Sequence, residues 1–211
     1  MPLEDSRTTR TELLDNADAK WVKLVKHTYI AANGSEKTWE SSQRLTRPKG
    51  LEIDGVGIAA ILRPEDGGEA SILLQKQFRP PINAVTIEVP AGLIDEGETP
   101  EQCALRELKE ETGYVGEIME GGFGMTPLMF NDPGFCNTNL HMVHCTIDPK
   151  DPANQNPQPR LEDDEFIECF TVPLTNLYAE CERLASEGYA IDARVATIAE
   201  GIELAKRFNV R

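Results

Sequence analysis

The chain has 211 residues, 40% of them hydrophobic and 27% charged, with a formal net charge of -15 and a sequence pI near 4.6. That size suits one globular domain with a small appended element. The acidity argues against a nucleic-acid partner, whose phosphates call for clustered Lys and Arg, and no stretch approaches the ~20 apolar residues of a membrane span.

Residues 1–20 are polar, contain no apolar core of signal-peptide length, and read as a mobile lead-in. Runs at 21–30 and 38–46 flank Asn33-Gly34, a hairpin signal. They predict a small antiparallel β unit over 21–50. The larger domain spans 51–211. Apolar runs at 56–62 and 70–78, joined by a turn through Asp66-Gly67-Gly68, and at 84–89 predict buried strands. A helix follows at 100–112, then strands at 139–147 and 166–172. Two helices close the chain near 174–187 and 192–207, with Gly188 between them. Segment 148–165 is rich in Pro, Asn and Asp, and too long for a bare connector, so it is either a flexible excursion or a functional lid. Strands split around a helix, with helices at the end, give an α+β fold, an α/β/α sandwich.

Cys103, Cys136, Cys145, Cys169 and Cys181 are odd in number, widely spaced and without a CxxC. This argues against a disulfide framework or a zinc site. It places the protein in a reducing compartment, the cytoplasm, with the nucleus also open to it.

The helix at 100–112 carries its own punctuation. Thr99 suits the N-cap, Pro100 the first helical position, Gln102 completes a capping box, and Gly113 is the stop. At about 100° per residue, Ala104, Leu105 and Leu108 form an apolar face. Glu111 falls roughly 70° from its centre, Glu107 roughly 110°, and Glu110 nearly opposite. Glu107 and Glu111 are i,i+4 neighbours, where like charges destabilise a helix. A hard divalent cation with oxygen ligands would compensate them, and Arg106 can pair with Glu110. A plain solvated acidic face is the alternative for any Glu-rich helix, so the flanking pattern has to decide.

That pattern, GLIDEGETPEQCALRELKEETGY over 92–114, resembles the Nudix box. Gly92, Glu98, Arg106, Glu107, Glu110, Glu111 and Gly113 occupy every fixed position, with Leu108 at the first bulky site; Tyr114 departs from the usual aliphatic residue at the second. A chance match is on the order of one in 10⁸ per start, which sets the solvated face aside. The resemblance implies metal-dependent hydrolysis of a nucleoside diphosphate linked to another group, with Mg²⁺, or Mn²⁺ or a similar ion, as cofactor. Carried over by position, the metal ligands are Glu107, Glu111, Glu165 and the backbone carbonyl of Ala91. Glu110 is similar to a secondary ligand or orienting group, and Arg106 steadies the acidic cluster.

Beyond the box, KWVKL, TWES, KQFRPP, PAGLIDEGETPE, DPGF, DEFIE and IDARV are similar to the ADP-ribose pyrophosphatase subfamily, from Trp21 to the C-terminus. This implies a homodimer with exchanged N-terminal strands and active sites between subunits. The implied substrate is ADP-ribose or a related nucleoside diphosphate sugar, cleaved in the first case to AMP and ribose 5-phosphate. Trp21 and Trp39 match residues that clamp adenine, and Glu40 one that accepts from its amino group. Arg44 and Arg79 match phosphate and base contacts, and Leu93 and Asp132 positions near the terminal ribose. Read without the resemblance, the tryptophans serve equally as core, the arginines as surface cations, and Asp132-Pro133-Gly134 as a turn. Glu165 matches the general base on a closing loop, with Glu162, Asp163 and Asp164 as rivals. A broader nucleoside diphosphate sugar hydrolase is one alternative function. A non-catalytic ADP-ribose-binding module is another, although such a module would be expected to lose box carboxylates and none is missing.

Overall fold

The computed structural model describes residues 2–63, 68–163 and 165–210; the expected turn at Asp66-Gly67 and the candidate acid Asp164 lie outside them. Strands β1 (Val22–Ile30) and β2 (Glu36–Arg44) pair antiparallel, from Val22 opposite Arg44 to Ile30 opposite Glu36. Gly34 closes the hairpin at φ 80°, a left-handed turn position that favours glycine.

A second sheet is built from β3 (Gly55–Leu62), β4 (Ser71–Arg79), β5 (Ala84–Glu88) and β6 (Ala91–Leu93), followed by helix α1 (Pro100–Thr112). Next come β7 (Glu117–Ile118), β8 (Met129–Phe130), β9 (Asn139–Ile147), β10 (Ile167–Pro173), α2 (Leu177–Ser186), β11 (Ala190–Ile191) and α3 (Ala193–Arg207). The order is β11-β5-β4-β3-β9-β7, with β10 on β4, β6 on β3 and β8 on β9. β3 and β9 run parallel from Gly55 opposite Leu140 to Leu62 opposite Ile147. Parallel pairing needs a long crossover, and α1 lies inside it.

Alternation along the strands fills both faces of this sheet. Val56, Ile58, Ala60, Leu73, Val143, Cys145 and Ile147 turn to one face, against Cys103, Ala104 and Leu108 of α1. Ala59, Ile72, Leu74 and Met142 turn to the other, against Leu177 and Leu184 of α2 and Val195 and Ala199 of α3. The expected sandwich results. Among the described residues no helix is long and apolar enough to cross a membrane.

The first part of the 148–165 loop is tied down. Buried Asn154 accepts from the Val115 amide (2.8 Å) and donates to the Val115 and Asp148 carbonyls (2.9 Å each). The Arg160 amide donates to the Glu110 carbonyl at 2.7 Å.

Candidate active site

Helix α1 is fixed at both ends before it presents any acid. Thr99 Oγ1 accepts from the Gln102 amide (3.2 Å), and Gln102 Oε1 accepts from the Thr99 amide (2.9 Å). A cap of this kind is typically worth about 1 kcal/mol. Gly113 ends the helix at φ 76°, where an added Cβ would also lie 2.3 Å from the Gln158 backbone nitrogen. The wheel's ranking of the acids holds: Glu111 is 5% exposed, the Glu107 side chain 15% and that of Glu110 48%.

Glu111 is aimed at the start of β6. Its Oε2 accepts from the Ala91 amide at 3.1 Å, and Oε1 lies 3.5 Å from Gln75 Nε2. Burial, with the charges of Glu107 and Glu165 adding to it, pushes Glu111 up to about 8. Glu107 is also raised, chiefly by burial and further by Glu110 and Glu165. Gly92 explains why the motif begins with glycine: a Cβ there would stand 2.0 Å from the Glu107 carboxyl carbon.

Arg106 organises this cluster. Its guanidinium forks onto Glu98 (2.8 and 2.9 Å), and donates to Glu107 (2.8 Å), to Glu110 (3.1 Å) and to the Leu93 carbonyl (3.2 Å). The pairing with Glu110 expected from spacing is present, but the fork on Glu98 is the firmer hold. It keeps Glu98 below the usual carboxylate range. Arg106 therefore positions the acids.

Glu165 lies near enough for its charge to be felt by both Glu107 and Glu111. Its Oε2 accepts from the Glu162 amide at 3.0 Å. Among the described residues, no three His, Cys, Asp or Glu side chains converge closely enough to hold a metal.

Arg79 forks onto Glu88 (2.7 and 2.6 Å), and that acid is fully buried, with Arg194 3.9 Å away. The sequence reading passed over Glu88. Its signal was a carboxylate inside a buried apolar run, where charges are rarely found unless paired.

The residues expected to recognise substrate are more dispersed. Trp21 and Trp39 are 68% and 53% exposed, which rules out a core role within the chain. Trp39 Nε1 donates to the Gly134 carbonyl at 2.9 Å, drawing the Asp132–Gly134 turn to the hairpin. Trp21 sits at the hairpin base, its carbonyl accepting from Leu45 at 2.9 Å. Six positions separate Leu45 from Trp39, so the two tryptophans share a face but stand about 20 Å apart. Glu40 and Arg44 project from the opposite face. Arg44 Nε is buried without a hydrogen-bond partner. Leu93 is exposed on β6. One chain thus brings Glu107 and Glu111 together but keeps apart the two tryptophans expected to clamp a base.

The NUDIX domain family matches residues 53–194. The ADP-ribose pyrophosphatase of Saccharomyces cerevisiae is 50% identical over 197 residues, 93% of this chain and 83% of that protein. The ADP-sugar pyrophosphatase of Mus musculus is 40% identical over 188 residues, 89% of this chain and 83% of that one. A solved ADP compounds hydrolase superposes with a TM-score of 0.56 over 96% of this chain and 92% of its own, at 16% identity, a likeness of fold.

Proposed function

The chain belongs to the NUDIX domain family, and from that premise we propose that it hydrolyses the diphosphate of ADP-ribose to AMP and ribose 5-phosphate. The observation that carries the reading is the buried, like-charged pair Glu107 and Glu111, held against Ala91 and Gly92 in a chain half identical to an ADP-ribose pyrophosphatase.

Hydrolases of this family generally use divalent ions, and the residues present fit one. Two buried carboxylates with raised pKa values are a hard-oxygen donor set that the single Arg106 contact on Glu107 does not neutralise, and buried Gln75 Oε1 beside them has no partner. Glu107, Glu111 and the Ala91 carbonyl would hold Mg²⁺ or Mn²⁺, with Glu165, which does not converge with the other two carboxylates, drawn in to join them. When bound, the ion neutralises the diphosphate and acidifies the attacking water. Arg106 keeps Glu107 in place. Glu165 takes a proton from the water as its oxygen bonds to one phosphorus, and the bond from that phosphorus to the bridging oxygen breaks.

The same reading calls for a second copy. A purine clamp needs aromatic faces a few ångströms apart, and Trp21 and Trp39 of one hairpin are far outside that range. The hairpin also exposes Val22, Leu24, Tyr29 and Ile30, an apolar surface suited to burial between subunits. A homodimer that exchanges its N-terminal strands would supply one tryptophan from each chain, with Glu40, Arg44, Arg79, Leu93 and Asp132 around the substrate. Incubation with Mg²⁺ and a panel of diphosphates tests the function. AMP and ribose 5-phosphate from ADP-ribose are expected. Preferred turnover of another nucleoside diphosphate sugar would replace ADP-ribose with the broader activity.

A further inference from the structure

The first residues of the chain do not trail away from the sheet. Leu3 is buried, and Glu4 Oε1 accepts from Tyr189 Oη at 2.7 Å and lies 3.8 Å from Lys76 Nζ. Lys76 in turn stands over the Tyr189 ring. Four residues on, the Thr8 amide donates to Asn83 Oδ1 (2.6 Å) and its hydroxyl to the Pro80 carbonyl (2.9 Å). Both anchors use at least one side chain of the segment itself. They pin it on either side of Arg7, so the entropy of ordering that residue is largely met before any ligand arrives.

Between the anchors the segment walls a cavity of about 660 Å³ whose lining includes Ser6, Arg7, Gln77, Arg79, Pro80 and Phe166. That volume suits a nucleotide-sized ligand. Phe166 follows the candidate base Glu165 in sequence, and Arg79 feels the charge of Glu111, so the cavity adjoins the acidic cluster. Its two cations differ. Arg79 is already neutralised by the buried Glu88. Arg7 is exposed and, among the described residues, has no ion-pair partner; Asp5 lines the same cavity without pairing with it. In a chain of net charge -15, an anionic ligand depends on such local cations.

We propose that the segment Leu3–Thr9 is a wall of the substrate site and that Arg7 is a further substrate-binding residue, meeting the phosphate-bearing part of a nucleoside diphosphate. The proposal rests on the function argued above, and its test is arranged to separate the two. Arg7→Ala, Arg7→Glu, Arg7→Lys and Leu3→Asp would be compared with the wild type in Mg²⁺-supported hydrolysis of ADP-ribose, and by calorimetric titration with ADP. Loss of one solvent-facing charge-assisted contact should raise KM about 3- to 10-fold in Arg7→Ala, and more in Arg7→Glu, with kcat within about twofold. Arg7→Lys should recover most of the loss. Leu3→Asp, which undocks the segment without touching Arg7, should reproduce the rise in KM. Unchanged KM and ADP affinity in Arg7→Ala and Arg7→Glu would overturn the proposal. So would a joint fall in kcat and Tm at constant KM, which marks a merely structural role. If the wild type left ADP-ribose intact, the proposed function would fail. The ADP titration would still decide this inference, weakened by Arg7→Glu if it holds and unchanged if it does not.

Discussion

Helix α1 meets its obligations inside one chain, whereas the β1–β2 hairpin leaves most of its own outside. The acids on the helix's site side and just before it each have a partner within reach. Glu98, Glu107 and Glu110 share Arg106, and Glu111 takes the Ala91 amide. The hairpin presents Trp21, Leu24, Ile30 and Trp39 to solvent and touches the body mainly through Ser42 and Trp39, at Phe135 and Gly134. Chemistry in this architecture needs acids placed within tenths of an ångström, which one capped helix on one sheet provides. Base recognition needs two flat faces in parallel, which a single two-stranded ribbon does not provide. The proposed catalytic half is therefore a local device, and the proposed recognition half calls for a second copy.

The largest expected effect tests the local device. Glu111→Gln should lower turnover about 10³-fold or more, because a neutral amide withdraws a charge the ion requires. Removing the repulsion with Glu107 should leave the Tm of the chelated protein unchanged or higher. A variant that unfolds would mean that the acid serves packing, and near-normal turnover would break the assignment outright.

Glu165→Gln comes next. Loss of a general base typically costs about 10²- to 10⁴-fold in kcat, with KM little altered and partial recovery at high pH as hydroxide becomes available. Glu162→Gln and Asp163→Asn are controls expected to cost far less, since among the described acids of this loop Glu165 is the one whose charge raises Glu107 and Glu111. Collapse of kcat in Glu162→Gln with normal Glu165→Gln would move the base three residues earlier.

The same contrast explains what the sequence made legible. Helix α1 runs over Pro100–Thr112 because Thr99, Gln102 and Gly113 write its ends in local chemistry. The long strands follow from apolar runs for the same reason, and the hairpin from Asn33-Gly34. β6, β7, β8 and β11 have two or three residues each, too few for an alternation to register, and exist because a neighbouring strand offers an edge. Arg106 was legible as a partner of Glu110 through i,i+4 spacing. Its stronger fork on Glu98 crosses the turn before the helix, where no periodicity reports. Leu3 and Glu4 looked like part of a polar lead-in because one leucine in a charged segment carries no pattern. Their partners Tyr189 and Lys76 are distant in sequence.

A smaller effect probes the proposed recognition half. Trp21→Ala and Trp39→Ala should each weaken binding of ADP-ribose about tenfold, in line with the loss of one stacking face. If the two faces come from different chains, co-refolding the two variants gives about half heterodimers, each with one intact site, and so restores about a quarter of wild-type high-affinity sites. No recovery on mixing, or a stable monomer of full affinity, would return both tryptophans to one chain and break the comparison.

The smallest effect is a slope of stability against pH in the metal-free protein. Burial raises Glu111 from its ordinary 4.5 to about 8, and Glu107 moves in the same direction. Between these limits the native state binds more protons than the unfolded chain. The stabilising contribution of Glu111 is full below about pH 4.5 and is lost as pH rises through about 8, and Glu107 adds to it with the same sign. Glu98 and Asp192 are shifted the opposite way, so they act on the acid side of that window. In chelator, Tm should therefore fall by several degrees from about pH 5 to about pH 8, and Glu111→Gln should flatten the curve. Mg²⁺ should oppose the fall, because it binds only the ionised pair, so that the curves with and without ion separate as pH rises. A wild-type curve that matches Glu111→Gln in chelator would mean the carboxylate is solvated. The helix would then be as open to its surroundings as the hairpin.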